Sequence, residues 1–294
     1  MRIFRHWYDR FPAEIRTSFR RLFPDHFLRW YAHQKTDVFL ISYPKCGRTW
    51  LRLMIGKTIA NHYQLPEEED ILLLRWKERV HPQVEHITVV HEDKPMLKTP
   101  QELETSKARY AGKKVIFLVR DPRDVIVSSY FELKHRSKLF GEDSYQRQKD
   151  IVNDDIKTFI FQERSGIDTI IHYYNIWANN RHIPKAFLLV RYEDLRSDPG
   201  KELRRIMDFL ELKTIDAQAI QDAIEFASFD NMRKMEMDEK YKSEMLKPAD
   251  RQDENTFKTR KGKVKGYLDY LSSQDIARLD QKIQTELSDF FGYH

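Results

Sequence analysis

Short apolar runs recur along the chain at Val38–Ile41, Ile87–Val90, Val115–Val119 and Ala186–Val190, rich in β-branched residues and too short for helices. Their apolar residues are continuous rather than alternating, as in strands covered on both faces. Between them the spacing turns helical: Trp50–Lys57, Arg123–Tyr130, the stretch around Tyr173 and Trp177, and a stripe of Leu203, Ile206, Phe209 and Leu210. Ile276–Phe291 reads as a closing amphipathic helix. Strands alternating with helices predict an α/β fold, a P-loop-like doubly wound parallel sheet flanked by helices. Residues 36–294 are expected to form its single domain.

The first strand runs into Ile41-Ser-Tyr-Pro-Lys-Cys-Gly-Arg-Thr-Trp-Leu51, which reads as strand, tight loop, helix. Pro44 punctuates the strand end, Gly47 permits a positive φ or a close backbone approach, and Thr49 is expected to cap the helix with its hydroxyl. Such a loop collects unpaired N–H groups at the positive end of a helix dipole, and Lys45, Arg48 and Thr49 add a charge, a fork and a hydroxyl. The combination is a seat for a phosphate or sulfate. It is not a Walker A loop: the lysine precedes the glycine by two residues, position 42 is Ser, and Arg48 stands where that motif has its lysine.

Tyr43-Pro-Lys-Cys-Gly-Arg-Thr-Trp50 instead resembles the 5′-phosphosulfate loop of the cytosolic-type sulfotransferases that use 3′-phosphoadenylyl sulfate (PAPS), usually Tyr-Pro-Lys-Ser/Ala-Gly-Thr/Ser-Thr-Trp. Val119-Arg-Asp-Pro-Arg-Asp-Val-Ile-Val-Ser128 resembles that family's 3′-phosphate segment, and Tyr192-Glu-Asp-Leu-Arg-Ser-Asp-Pro199 its Tyr-Glu-Asp-Met/Leu-x-x-x-Pro. Ala227-Ser-Phe-Asp-Asn-Met232 is similar to the segment that contacts adenine, and Phe257-Lys-Thr-Arg-Lys-Gly262 to the loop that closes over the 3′-phosphate, with one residue more between Phe and Arg. The resemblance covers about residues 38–265. It implies that amides of Gly47, Arg48, Thr49 and Trp50 hold the 5′-phosphate. Arg120, Ser128, Arg260, Lys261 and Gly262 would hold the 3′-phosphate, Tyr192 would help hold the nucleotide, and Trp50 and Phe229 would sandwich the adenine.

Sulfuryl transfer builds charge on the bridging oxygen of the leaving phosphate, so a fixed cation there helps most, and Lys45 is the candidate. The acceptor hydroxyl needs a base working near neutral pH, for which histidine suits. Many relatives place it after Lys-Thr at a strand end, but here Lys98-Thr99 is followed by Pro100. His91, which ends the second strand, is preferred, with Glu92 or Asp93 as the fallback. The family's dimer motif has no counterpart after Gly262, which leaves the oligomeric state open.

Composition narrows the alternatives. The pI of 9.0 invites a nucleic-acid reading, but the whole-chain formal charge is only +5, and residues 1–35 alone carry eight Lys/Arg against three Asp/Glu. That basic, aromatic arm is either a helical pair packed on the domain or a peripheral membrane contact. Residues 233–265, with eleven Lys/Arg and seven Asp/Glu, read as a mobile loop. The lone Cys46 excludes an internal disulfide, fits a cytoplasmic protein and reads as a small filler of the loop, with a thiol pKa lowered by Lys45, Arg48 and the helix N-terminus as the alternative. No apolar run reaches the roughly 18–20 residues of a membrane span. The expectation is a PAPS-dependent enzyme without a metal or a nucleic-acid partner, acting on a small-molecule, lipid or sugar hydroxyl. A nucleotide or small-molecule kinase and a non-catalytic nucleotide or membrane-surface binder are the alternatives.

Overall fold

A computed structural model describes residues 25–65, 71–74, 84–136, 151–152, 155–240 and 246–293. Most of the expected basic arm lies outside these residues; its end is helix α1, Asp25–Lys35. Strands β1 (Val38–Ser42), β2 (Ile87–Val90), β3 (Lys114–Val119) and β4 (Ala186–Arg191) form one parallel sheet in the order β2-β1-β3-β4. The register pairs Ile41 with Val90 on one side and with Phe117 on the other. β1 and β3 are buried along their whole length, which explains their uninterrupted apolar sequences.

Helix α2 (Arg48–His62) leaves β1, and α3 (Pro122–His135) leaves β3. On one side α2 packs against α8 (Ala217–Phe226), which in turn meets α7 (Pro199–Phe209). On the other, α3 packs against α4 (Ile156–Phe161), α5 (Ile167–Asn180) and α10 (Ser273–Glu286). α6 (Tyr192–Ser197) and α9 (Phe229–Met237) complete the set among the described residues. The closing helix ends earlier than the sequence suggests, and a short 3₁₀ turn, Asp289–Phe291, follows it. The stretch read as a loop from residue 233 begins inside α9, because Ser228 caps that helix by accepting from the Asn231 N–H.

The core centres on Phe117 of β3, which is fully buried and stacks on Trp177 of α5 at 5.3 Å between ring centres. Burying a side chain of this size stabilises by about 1.5–3 kcal/mol. The packing fixes where β1, β2 and β3 end, and the functional residues emerge from those carboxyl ends, as in other open α/β sheets.

Candidate active site

The loop between β1 and α2 takes its shape from two left-handed residues, Lys45 at φ 75° and Gly47 at φ 89°. A Cβ on Gly47 would lie 2.6 Å from the Tyr192 ring, so both backbone and space demand glycine there. Thr49 does not cap α2. The cap position is Gly47, without a side-chain hydrogen bond, which leaves the first-turn amides free for a ligand. Cys46 is the buried filler expected of it: its Sγ lies 3.3 Å from the Tyr174 hydroxyl, and burial pushes its thiol up to about 12, against the alternative of a lowered pKa.

The loop opens into a cavity of about 730 Å³ lined by residues from every expected motif: Lys45, Gly47, Arg48, Thr49, Trp50, His91, Arg120, Ser128, Tyr192, Phe229, Arg260, Lys261 and Gly262. Arg120 donates to the carbonyls of Lys263 at 2.9 Å and Lys45 at 3.4 Å and lies over the Tyr192 ring at 4.4 Å. Trp50 meets the same ring edge-on at 5.7 Å. Gly262, at φ 59°, presses on Phe229, where a Cβ would come within 2.6 Å of the ring. Arg260 stacks on Phe131 at 3.9 Å and donates to the Tyr270 hydroxyl, while Lys261 pairs with Asp269 at 2.7 Å. Asp124 binds this segment to α3 by accepting from the amides of Lys265 and Tyr267 at 2.9 and 3.0 Å.

His91 stands at the end of β2. Its Nδ1 lies 3.2 Å from the Ser42 carbonyl, so with Nδ1–H as donor, Nε2 carries the free lone pair. Burial, then the charge of Arg48, lowers its pKa well below the ordinary value, which leaves the ring neutral at pH 7. The next three residues, Glu92, Asp93 and Lys94, are all left-handed, at φ 50°, 57° and 49°. Such strain persists only when clamped. The clamp is Glu92, buried against Trp177 Nε1 at 3.0 Å, Arg109 at 2.6 Å and Lys107 at 3.1 Å, together with Asp93, which accepts from the Glu104 amide at 2.8 Å and pairs with Lys98. Neither carboxylate lines the cavity; both hold the turn. Thr99 caps the 3₁₀ turn Pro100–Glu102 and ends no strand.

Two residues at the centre lie outside the expected set. Glu132 of α3 takes Lys45 on one oxygen together with Arg136 Nε at 3.2 Å, and Lys258 on the other at 3.0 Å. Burial alone would raise the Glu132 pKa, but Lys258, Lys45 and Arg136 hold it well below the carboxylate range. Lys45 itself is lowered to about 7 by burial, against the opposing pull of Glu132. The signal for Glu132 was its place four residues after Ser128 and eight after Asp124, on one face of α3. For Lys258 it was the extra residue after Phe257.

The Sulfotransferase domain family model matches residues 35–291. The chain belongs to the sulfotransferase family. It is thereby a PAPS-dependent transferase. A flavonol 3-sulfotransferase of Flaveria bidentis is 26% identical over 268 residues, 85% of this chain and 81% of that protein. Cytosolic sulfotransferase 17 of Arabidopsis thaliana is 24% identical over 270 residues, covering 87% and 75%. Two solved structures share the fold: a mouse sulfotransferase complexed with PAP (TM-score 0.57, 19% identity, 88% and 87% covered) and retinol dehydratase with androsterone and the inactive cofactor PAP (0.54, 18%, 87% and 81%). No helix among the described residues is long and apolar enough to cross a membrane.

Proposed function

We propose that this sulfotransferase moves the sulfuryl group of PAPS to the hydroxyl of a small-molecule acceptor by in-line displacement, with His91 as general base and Lys45 on the leaving phosphate. The observation that carries the reading is that one cavity gathers the free N-terminus of α2, Lys45 and a neutral imidazole with Nε2 unengaged. The acceptor oxygen attacks sulfur and gives its proton to His91 Nε2. The bond from sulfur to the bridging oxygen breaks, and that oxygen departs with the electron pair toward the Lys45 ammonium. The products are a sulfate ester and PAP, and the proton on His91 passes to solvent.

The α2 amides and Lys45 are suited to the 5′-phosphate. Arg120, Ser128 and the Arg260–Gly262 segment, over the neighbouring strand, are suited to the 3′-phosphate, and Trp50 and Phe229 to the adenine. Tyr192 supports the nucleotide from below by filling the space that Gly47 leaves. Burial makes His91 a weak base in the empty site, and the anionic donor, by offsetting the field of Arg48 and Lys258, brings it back toward the working range. No metal role is assigned. The names of the relatives support a cytoplasmic location.

Transfer from labelled PAPS to a phenol panel tests the reading. Lys45→Ala should lower kcat by roughly 10²-fold or more, the usual cost of losing one transition-state contact. Unaltered rates would remove Lys45 from its role, and stabilisation by Mg²⁺-ATP but not by PAP would favour a kinase.

A further inference from the structure

One carboxylate holds two of the lysines that line the cavity. Glu132 of α3 carries Lys45 on Oε2 and Lys258 on Oε1, the latter at 3.0 Å. The two ammonium groups are therefore no farther apart than one carboxylate sets them. Of the lining cations among the described residues, Lys258 is the one that shares an acid with Lys45.

The Lys258 side chain is not what fixes its own loop. The amides of Lys258 and Thr259 donate to Glu236, the second at 3.0 Å, and the Thr259 hydroxyl donates to the same carboxylate at 2.8 Å. Arg136 donates to the Thr256 carbonyl, and Arg233 lies over the Phe257 ring at 3.3 Å. Glu236, Arg136 and Arg233 thus anchor the backbone of residues 256–259. The Lys258 side chain is left to the cavity, where it is partly exposed, at the place where the chain has one residue more between Phe257 and Arg260.

A carboxylate that bridges two ammonium groups occupies the place of an anion with two oxygens on one atom. The donor brings such an anion, because the bridging oxygen and the terminal oxygens of its sulfuryl group are all bonded to sulfur. When Lys45 leaves Glu132 for the bridging oxygen, Lys258, one carboxylate away, is within reach of a terminal one. Glu132 is not stranded by the exchange, since the nearly inaccessible Arg136 keeps its Nε 3.2 Å from Oε2. We propose that Lys258 is a second catalytic cation, binding a terminal oxygen of the sulfuryl group while Lys45 binds the bridging oxygen, and that Glu132 holds the two lysines at that spacing until the donor arrives. The proposal rests on the sulfotransferase reading with Lys45 on the leaving phosphate. Lys258 keeps its proton throughout. The bond from sulfur to the bridging oxygen breaks toward Lys45, and Lys258 keeps the sulfuryl group in line with the acceptor oxygen that replaces it.

The test compares PAPS with PAP, which differ by the sulfuryl group, on the full chain. In calorimetry without acceptor, Lys258→Met should weaken PAPS binding by about tenfold and leave PAP affinity within about threefold, as expected when one charge-assisted hydrogen bond to the sulfuryl group is lost. With labelled PAPS and whichever phenol the parent chain sulfates fastest, kcat/KM for PAPS should fall by about ten- to a hundredfold, and Lys258→Arg should recover most of the loss. Without ligand, both variants should melt close to the parent, because the loop backbone keeps its anchors. Equal losses of PAP and PAPS affinity would overturn the proposal, since Lys258 would then only pin the loop over the 3′-phosphate. Parental PAPS affinity together with parental kcat/KM would overturn it too. Failure of PAP to bind the parent chain would instead overturn the sulfotransferase reading beneath it.

Discussion

Replacing Glu132 by Gln keeps the shape of the side chain and removes the charge that holds Lys45, Lys258 and Arg136 together. Lys45 and Arg136 are nearly inaccessible, with 9% and 1% side-chain exposure, so water cannot fully replace the lost carboxylate. Deleting one partner of a buried ion pair costs about 3–5 kcal/mol, and the low end applies because the cavity is open and Gln retains one acceptor. For a domain of this size, about 3 kcal/mol corresponds to a melting point roughly 6 °C lower. The loss should shrink when PAP supplies a new anion to Lys45, so PAP should raise the melting point of the variant more than that of the parent. There is a pH signature as well. Lys45 is already depressed to about 7, and removing Glu132 removes a group that raises it, so the alkaline limb of kcat/KM for donor moves to lower pH. Scanning fluorimetry with and without PAP, with initial rates from pH 5.5 to 9, reads both effects. An unchanged melting point together with an unchanged alkaline limb would refute the argument.

The neutral, buried His91 places the acid limb of kcat/KM below the ordinary imidazole range, so activity should persist below pH 6.5; a fall centred above that value contradicts the assignment. The depressed His91 also makes the unfolded chain bind more protons, so melting temperature should fall with acidity in that window, and His91→Ala should lessen the fall. Gly262→Ala places a Cβ 2.6 Å from Phe229 at φ 59° and should weaken PAP binding by about tenfold by calorimetry, with little change in acceptor KM. Glu92→Gln loosens the clamp on the turn behind His91, so kcat should fall about tenfold or more while PAP affinity holds; parental kcat would mean that the turn needs no clamp.

What the sequence revealed and what it hid divide along a physical line. Strand positions were legible because β1 and β3 are covered on both faces and carry no polar interruption, and Asp121-Pro122 announced α3 through a cap and a fixed φ. Lys45, Gly47, His91, Arg120 and Tyr192 were legible because each follows a strand end within a few positions, whereas Phe229 and Arg260–Gly262 lie far from any strand and were legible only through the family resemblance. Thr49 misled because a side-chain cap would occupy the amides that a phosphate needs, and glycine at the cap leaves them free. Cys46 was legible as a filler from its place inside the loop, and depth in the core rather than the nearby positive charges decides its pKa. The competition between His91 and Glu92 or Asp93 could not be resolved by type or order. Nor could sequence show that Trp177, Arg109 and Lys107, from distant segments, draw Glu92 into the core. Glu132 escaped notice for the same reason: its partner Lys258 lies 126 residues away.

The most direct test of the central claim is calorimetric titration of the parent chain with PAP, AMP and adenosine. If the α2 amides with Lys45 grip one phosphate and Arg120 with Arg260–Gly262 grip the other, each phosphate should add at least about tenfold in affinity, and PAP should exceed adenosine by about 10²-fold or more. Equal affinity for PAP and AMP would contradict a site built to hold both ends of the nucleotide.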